Sequence, residues 1–298
     1  MRRGAVIAGS GFALLALGGG LSGCAAVGTA WRDRAEQRGA ALASQSAESQ
    51  NLSQEAQAAI DRHDDATALA MLQRLVGVVP RSAEAHQRLG RVLQSQGRLA
   101  EAGASYRRAL ELDHEYAAAM IGLGTIDAAL GRAGEALKRF DAAIELDPNH
   151  AEAHTARART LEVVGRTDDA LAAYFRALEF DPNARDARLR VATLQLDRNQ
   201  TDQALARLDR LVEQNADDAE ARHQRGRAHL ALNHPALAAD DLKFASGKLP
   251  DRPDVFYQLA LALAAAHDTP GALSAAEHAL KLAPGFTEAR SLTERLRR

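Results

Sequence analysis

Residues Glu84–Asp113 read EAHQRLGRVLQSQGRLAEAGASYRRALELD, and the spacing of their apolar side chains decides the fold. Leu89, Val92 and Leu93, then Ala102, Tyr106, Ala109 and Leu110, recur at three- and four-residue intervals. That is the period of an amphipathic helix face, met twice. Between the two faces lies Gly97, a residue free to take the left-handed backbone that ends a helix. The segment predicts a helix, a tight turn and a second helix.

The pattern returns every 34 residues from Ser49 to Phe286 without insertion. Pro80, Pro148, Pro182, Pro250 and Pro284 share one phase and are expected to stop each second helix. A second phase holds only alanine: Ala68, Ala102, Ala136, Ala170, Ala204, Ala238 and Ala272. Four residues later come Leu72, Tyr106, Phe140, Tyr174, Leu208 and Leu242, then Ala276. A fourth phase is Gly or Ala throughout (Ala56, Gly90, Gly124, Ala158, Ala192, Gly226, Ala260), which lets paired helices approach closely. Gly131, Gly165, Asn199 and Asn233 repeat the turn residue, with His63 and His267 in its place at the ends. Asp65, Thr167, Thr201 and Thr269 are expected to cap second helices, with Pro270 at a first helical position. Strand signals are missing.

A 34-residue helical pair with Gly/Ala in its first helix, Ala and an aromatic in its second, and a terminal proline resembles the tetratricopeptide repeat. Segments such as Ile144-Glu145-Leu146-Asp147-Pro148-Asn149 and Phe180-Asp181-Pro182-Asn183 carry the likeness, which spans about four fifths of the chain. The resemblance implies an all-α tetratricopeptide-repeat superhelical solenoid. Seven repeats occupy residues 49–286, and 287–298 form a capping helix whose Glu288, Arg290, Glu294, Arg295, Arg297 and Arg298 would solvate the open end.

Arg2 and Arg3 precede an apolar, glycine-rich run that ends in Leu21-Ser22-Gly23-Cys24. The run is shorter than the roughly 20 apolar residues of a membrane span and has the layout of a secretory signal. Leu-Ser-Gly-Cys resembles the bacterial lipobox, which implies cleavage after residues 1–23 and lipid on Cys24, the only cysteine. An ordinary signal with a chance cysteine, or a twin-arginine signal, are the alternatives. Ala25 after the cysteine, by resemblance to lipoprotein sorting, implies the periplasmic face of the outer membrane. Residues 24–48 read as the lipidated terminus and a linker. In it, Trp31 serves either as a headgroup anchor or as a contact with the first repeat.

Without the signal, 35 basic and 39 acidic residues remain, a formal charge of −4. That balance argues against nucleic acid and gives no attraction to anionic lipid. No cofactor or small-molecule substrate is implied. His150-Ala151-Glu152-Ala153-His154 lacks the order of a zinc-protease motif, and His86 and His154 read as packing residues, so no metal site is expected. No phosphate loop or nucleophile elbow occurs, and the chain reads as a non-enzyme.

What remains is a surface. The family resemblance assigns a concave groove to the second, fifth, ninth, twelfth and thirteenth positions of each first helix. Arg91, Arg159 and Arg227 return there on alternate repeats, beside Ile121, Leu189, Leu196, Leu230, Tyr257 and Leu261. Such a groove suits an acidic, partly apolar segment of a partner protein. The alternative is that the arginines pair with Glu84, Glu152, Asp186, Glu220 and Asp254 on neighbouring repeats. Lipidated repeat proteins of type IV and tight-adherence pilus assembly share this layout, implying a protein-binding scaffold for a pilus or secretion-type complex. Scaffolding of exopolysaccharide or peptidoglycan machinery is the alternative.

Overall fold

A computed structural model describes residues 45–298; the lipobox-like run, Cys24 and Trp31 lie outside them. Every regular element among the described residues is helical. The chain divides into two compact units, one ending at Pro80 and the other Arg81–Arg298. In the first, α1 (45–61) and α2 (Asp65–Val78) are joined by a turn at His63 and bury Leu52, Ala56, Ala59, Ala68, Leu72 and Leu75.

The second unit is a run of helix pairs: α3 (Ala83–Ser95) with α4 (Leu99–Leu112), α5 (Ala117–Ala129) with α6 (Ala133–Leu146), and α7 (Ala151–Val163) with α8 (Thr167–Phe180). It continues with α9 (Arg185–Asp197), α10 (Thr201–Gln214), α11 (Ala219–Ala231), α12 (Pro235–Lys248), α13 (Pro253–Ala265) and α14 (Thr269–Leu282), and closes with α15 (Thr287–Leu296). Each helix packs on the next, and first helices also meet across repeats, α5 on α7 and α9 on α11 among them.

Local chemistry explains why these boundaries keep one phase. Every turn inside a pair has its pivot at positive φ, from 56° at His63 to 77° at Gly165, with Asn199, Asn233 and His267 in the same region. Around Gly97 the Arg98 N–H donates to Leu93 O at 2.9 Å and the Gly97 N–H to Gln94 O at 2.9 Å, satisfying carbonyls the helix end leaves free. Second helices stop two residues before Pro148, Pro182, Pro250 and Pro284, yet α4 and α10 stop at the same phase without proline. There Asp113 and Asn215 accept hydrogen bonds from the N–H two residues on (3.1 and 3.0 Å), a side-chain turn that competes with further helix.

The capping expectation needs moving by one residue. Asp65, Thr167, Thr201 and Thr269 are the first helical residues, and the preceding position is the cap. Asp64 and Asp268 fill it with a side-chain bond, whereas Arg166 and Gln200 do not, and Pro270 is the second helical residue. The cap follows the positive-φ pivot directly, so the helix starts two residues after the pivot.

All seven residues of the alanine phase are fully buried, and Leu72, Tyr106, Phe140, Tyr174, Leu208, Leu242 and Ala276 fill the space beside them. Tyr106 shows how tightly. A Cβ at Gly90 would come within 2.8 Å of its ring and one at Gly122, in the next repeat, within 2.3 Å. The ring is a wedge between α3 and α5, and glycine on both is what admits it.

Candidate functional site

A groove runs along part of the first helices. The first helices α3, α5 and α7 and the start of α9 line a groove of about 940 Å³, with Gln87, Arg91, Thr125, Glu152, Arg159 and Asp186 among its walls. Its floor at α5 is made of small side chains, Ala118, Gly122, Thr125 and Ala128, so the depth comes from residue size.

The expected arginines differ from one another. Arg159 is paired with Asp186 of the next repeat. Arg227 reaches Asp197 at 3.0 Å and Gln224 at 2.6 Å. Arg159 follows the intramolecular alternative, whereas the acid that holds Arg227 is Asp197, outside the second-position set. Arg91 is exposed, lines the groove and has no ion-pair partner among the described residues. Of the expected row of three cations, one is left to a ligand.

The apolar set also divides. Ile121 and Leu189 are buried, which corrects the expectation that they face the groove. Ile121 packs with Phe140 and with Ala153 of the following first helix, and Leu189 with Leu208 and Ala221. Ile121 and Leu189, both at the fifth position, lie on the seam between successive first helices. Leu196, Leu230, Tyr257 and Leu261 are half-buried on the later first helices, with Tyr257 5.0 Å from the Phe286 ring.

His223, also at a fifth position, is buried, with Nδ1 3.7 Å from Glu220 and Nε2 3.9 Å from Asp254. The imidazole beside it, opposed by burial and helped by the Gln224 amide and Arg252, holds the Glu220 carboxyl down to about 2. Arg252 pairs with Asp254 at 2.6 Å and keeps that carboxyl low as well. His154 stacks on Phe180 at 5.6 Å, a packing role as expected.

Two relations between phases went unread in the sequence. The Tyr106 hydroxyl donates to Gln94 Oε1 at 2.8 Å, and the Tyr174 hydroxyl to Glu162 Oε2 at 2.5 Å. Each fixes a twelfth-position side chain twelve residues upstream, and Arg190 also pairs with Glu162. Where the bulky phase is Phe140, Leu208 or Leu242, the twelfth position is Ala128, Leu196 or Leu230. Tyrosine therefore marks the polar stretch of the groove. The second relation joins the eleventh and twenty-third positions. Leu161 and Leu263 share a core cluster with Ala173 and Ala275, whereas Asp127 and Gln195 face Arg139 and Arg207 (2.6 and 3.1 Å). Burial opposes ionisation of Asp127, but hydrogen bonds from Arg139 and Arg132 outweigh it and keep the carboxyl below its usual range.

A helical-repeat scaffold with a groove along its first helices is the class that fold and site define. Tetratricopeptide-repeat family models match residues 53–117, 93–160 and 164–227. The chain belongs to the tetratricopeptide-repeat family. Among solved structures it is similar to YrrB, described as a tetratricopeptide protein with an unusual peptide-binding site (23% identity, TM-score 0.55, 64% of this chain and 99% of that one). PilF of Pseudomonas aeruginosa matches at 16% identity and TM-score 0.65 over 72% of this chain and 97% of that one. A repeat protein from Parabacteroides merdae matches at 18% identity and TM-score 0.52, over 84% and 99% of the two chains. These likenesses show the fold. No curated protein matches the chain. Among the described residues no helix is long and apolar enough to cross a membrane, and no group of His, Cys, Asp and Glu could hold a metal ion.

Proposed function

We propose that this protein is a non-enzymatic scaffold of the bacterial cell envelope. Lipid on Cys24 anchors it at the periplasmic face of the outer membrane, and it helps assemble a pilus or secretion-type complex. A partner segment lies in the groove of α3, α5 and α7. The observation that carries the binding site is Arg91, an exposed cation with no ion-pair partner among the described residues, in a groove of about 940 Å³. A carboxylate of the partner pairs with Arg91 and sets the register, while apolar contacts with the small floor of Ala118, Gly122, Ala128 and Ala156 contribute affinity. The peptide-binding site described for YrrB supports a peptide ligand, and the layout shared with pilus-assembly lipoproteins supports the envelope role.

The test compares proteins captured from envelope extracts by the wild type and by Arg91→Glu, identified by mass spectrometry. A pilus or secretin component lost only with the variant is the expected result. Unchanged capture overturns the site. Glycosyltransferases or murein hydrolases among the lost proteins overturn the pilus assignment. Cys24→Ala should release the protein from membranes or leave its precursor, and an unchanged processed membrane form sinks the anchor.

A further inference from the structure

The opposite side of α5 carries a second groove, of about 800 Å³, that the reading above leaves unused. Ala118, Gly122, Thr125 and Ala128 face the first groove, while Leu123, Ile126, Asp127 and Leu130 face the second. Leu99 and Leu110 of α4 complete an apolar wall, and Leu130 is 53% exposed within it.

Three guanidinium groups border this wall, from Arg107, Arg132 and Arg139. Asp127 is the carboxylate that faces them from the floor, and both its oxygens are taken: Oδ1 by Arg132 and Oδ2 by Arg139, each at 2.6 Å. The other acids at the rim are already engaged, Glu111 with Arg108 at 2.7 Å and Glu135 with Lys138 at 3.2 Å. Arg107 is exposed and has no ion-pair partner among the described residues. Arg132 and Arg139 keep N–H donors that Asp127 does not use. The groove is thus apolar along its wall and cationic along its edge.

We propose that this second groove docks a helical segment of a partner protein, one that presents leucine-type side chains and a carboxylate about one turn away. Charge fixes the acidic half of that description, since an apolar face beside an unpaired arginine rejects a basic segment. Backbone chemistry fixes the helix. The walls are themselves helices whose N–H and C=O groups are satisfied internally, so an extended segment would find no edge to pair with. A helix brings its own backbone bonds and needs only side-chain complementarity. The site is separate from the Arg91 groove, and either can fail without the other.

A displayed library of 15-residue helical peptides, with leucine fixed at positions one, five and eight, tests the proposal on the purified full chain. Selected peptides should be enriched in Asp and Glu beside the leucines. Their binding, followed by fluorescence anisotropy, should weaken about tenfold or more with Arg107→Glu and stay within about twofold with Arg91→Glu. Arg107→Gln gives an intermediate loss and serves if the charge reversal unfolds the protein. Absence of any enriched acidic peptide overturns the proposal, as does binding lost with Arg91→Glu but not Arg107→Glu. Two further results reject the partner helix: Arg107-dependent binding to phosphatidylglycerol vesicles without peptide binding, which assigns the groove to lipid, and Arg107-dependent dimerisation in sedimentation, which assigns it to a second copy.

Discussion

Asp127 is an aspartate in a place where three other repeats put leucine (Leu93, Leu161 and Leu263), and it survives burial because two arginines reach it. Removing one side of such a pair strands the other, whereas replacing both by apolar residues restores a packing the chain already uses at Leu161 and Ala173. Asp127→Leu alone should lower stability by about 1–3 kcal/mol, because Arg139 loses its acceptor beside an apolar side chain. Adding Arg139→Ala should recover most of that loss, while Arg132, 55% exposed at its side chain, returns to water. Chemical denaturation of the two single variants and the double variant decides it. Additive losses would mean that the pair is not a unit. Both relations between phases were present in the amino-acid sequence, but each is visible only when two positions twelve residues apart are compared across repeats. Periodicity of single positions does not expose them. The fate of the groove arginines is a different case, since whether Arg159 meets Asp186 depends on rotamers and repeat geometry that spacing leaves open.

At the scale of the helix pair, the positive-φ pivot recurs in all seven turns, whichever residue occupies it. A Cβ at Gly131 would meet nothing within 4 Å, so Gly131→Ala isolates the backbone cost of the left-handed region. That cost is about 1–2 kcal/mol, and the melting temperature should fall accordingly. His267, at φ 63°, already bears it, and His267→Gly should gain up to about 1 kcal/mol. If both substitutions leave the thermal melt unchanged, the turns do not limit stability. The helix–turn–helix register was legible because turn residue, proline and small-residue phases agree, while the capping helix expected over 287–298 ends at Leu296. The caps were misplaced because Thr167, Thr201 and Thr269 are good capping residues standing one position inside the helix. Ile121 and Leu189 were misplaced for a related reason: a fifth-position side chain sits between two destinations, and these two find apolar neighbours on the seam, Phe140 and Ala153 for Ile121 and Leu208 and Ala221 for Leu189.

Across the second unit, charge is arranged so that its response to acid has one direction. Asp127, Asp218, Glu220 and Asp254 are all held below their ordinary values: Asp127 and Asp218 by arginine partners against burial, Glu220 by His223, and Asp254 first by Arg252. A carboxyl with a depressed folded value contributes stability that is fully present above its unfolded value, here 3.8 for Asp and 4.5 for Glu, and is lost as pH falls through the folded one. For Glu220 the window runs from about 4.5 down to about 2. The melting temperature should therefore begin to fall below about pH 6.5, because burial holds the His229 imidazole below its ordinary value, and should drop further from about pH 5 toward pH 2 as the carboxyls protonate. Because neighbouring repeats are coupled only to one another, acid should loosen the α9–α13 stretch, which holds Asp218, Glu220 and Asp254, together with the α5–α6 pair around Asp127. Hydrogen exchange at pH 3 should show those helices opening ahead of α3–α4, whose bulky Tyr106 bonds the neutral Gln94 amide and packs among Leu89, Val92 and Leu93. Glu220→Gln keeps the amide-sized side chain and removes the titration, so its melting temperature should lie below that of the wild type at pH 7 and converge with it near pH 2. A difference that persists undiminished into acid would show that Glu220 acts through packing and not through its charge.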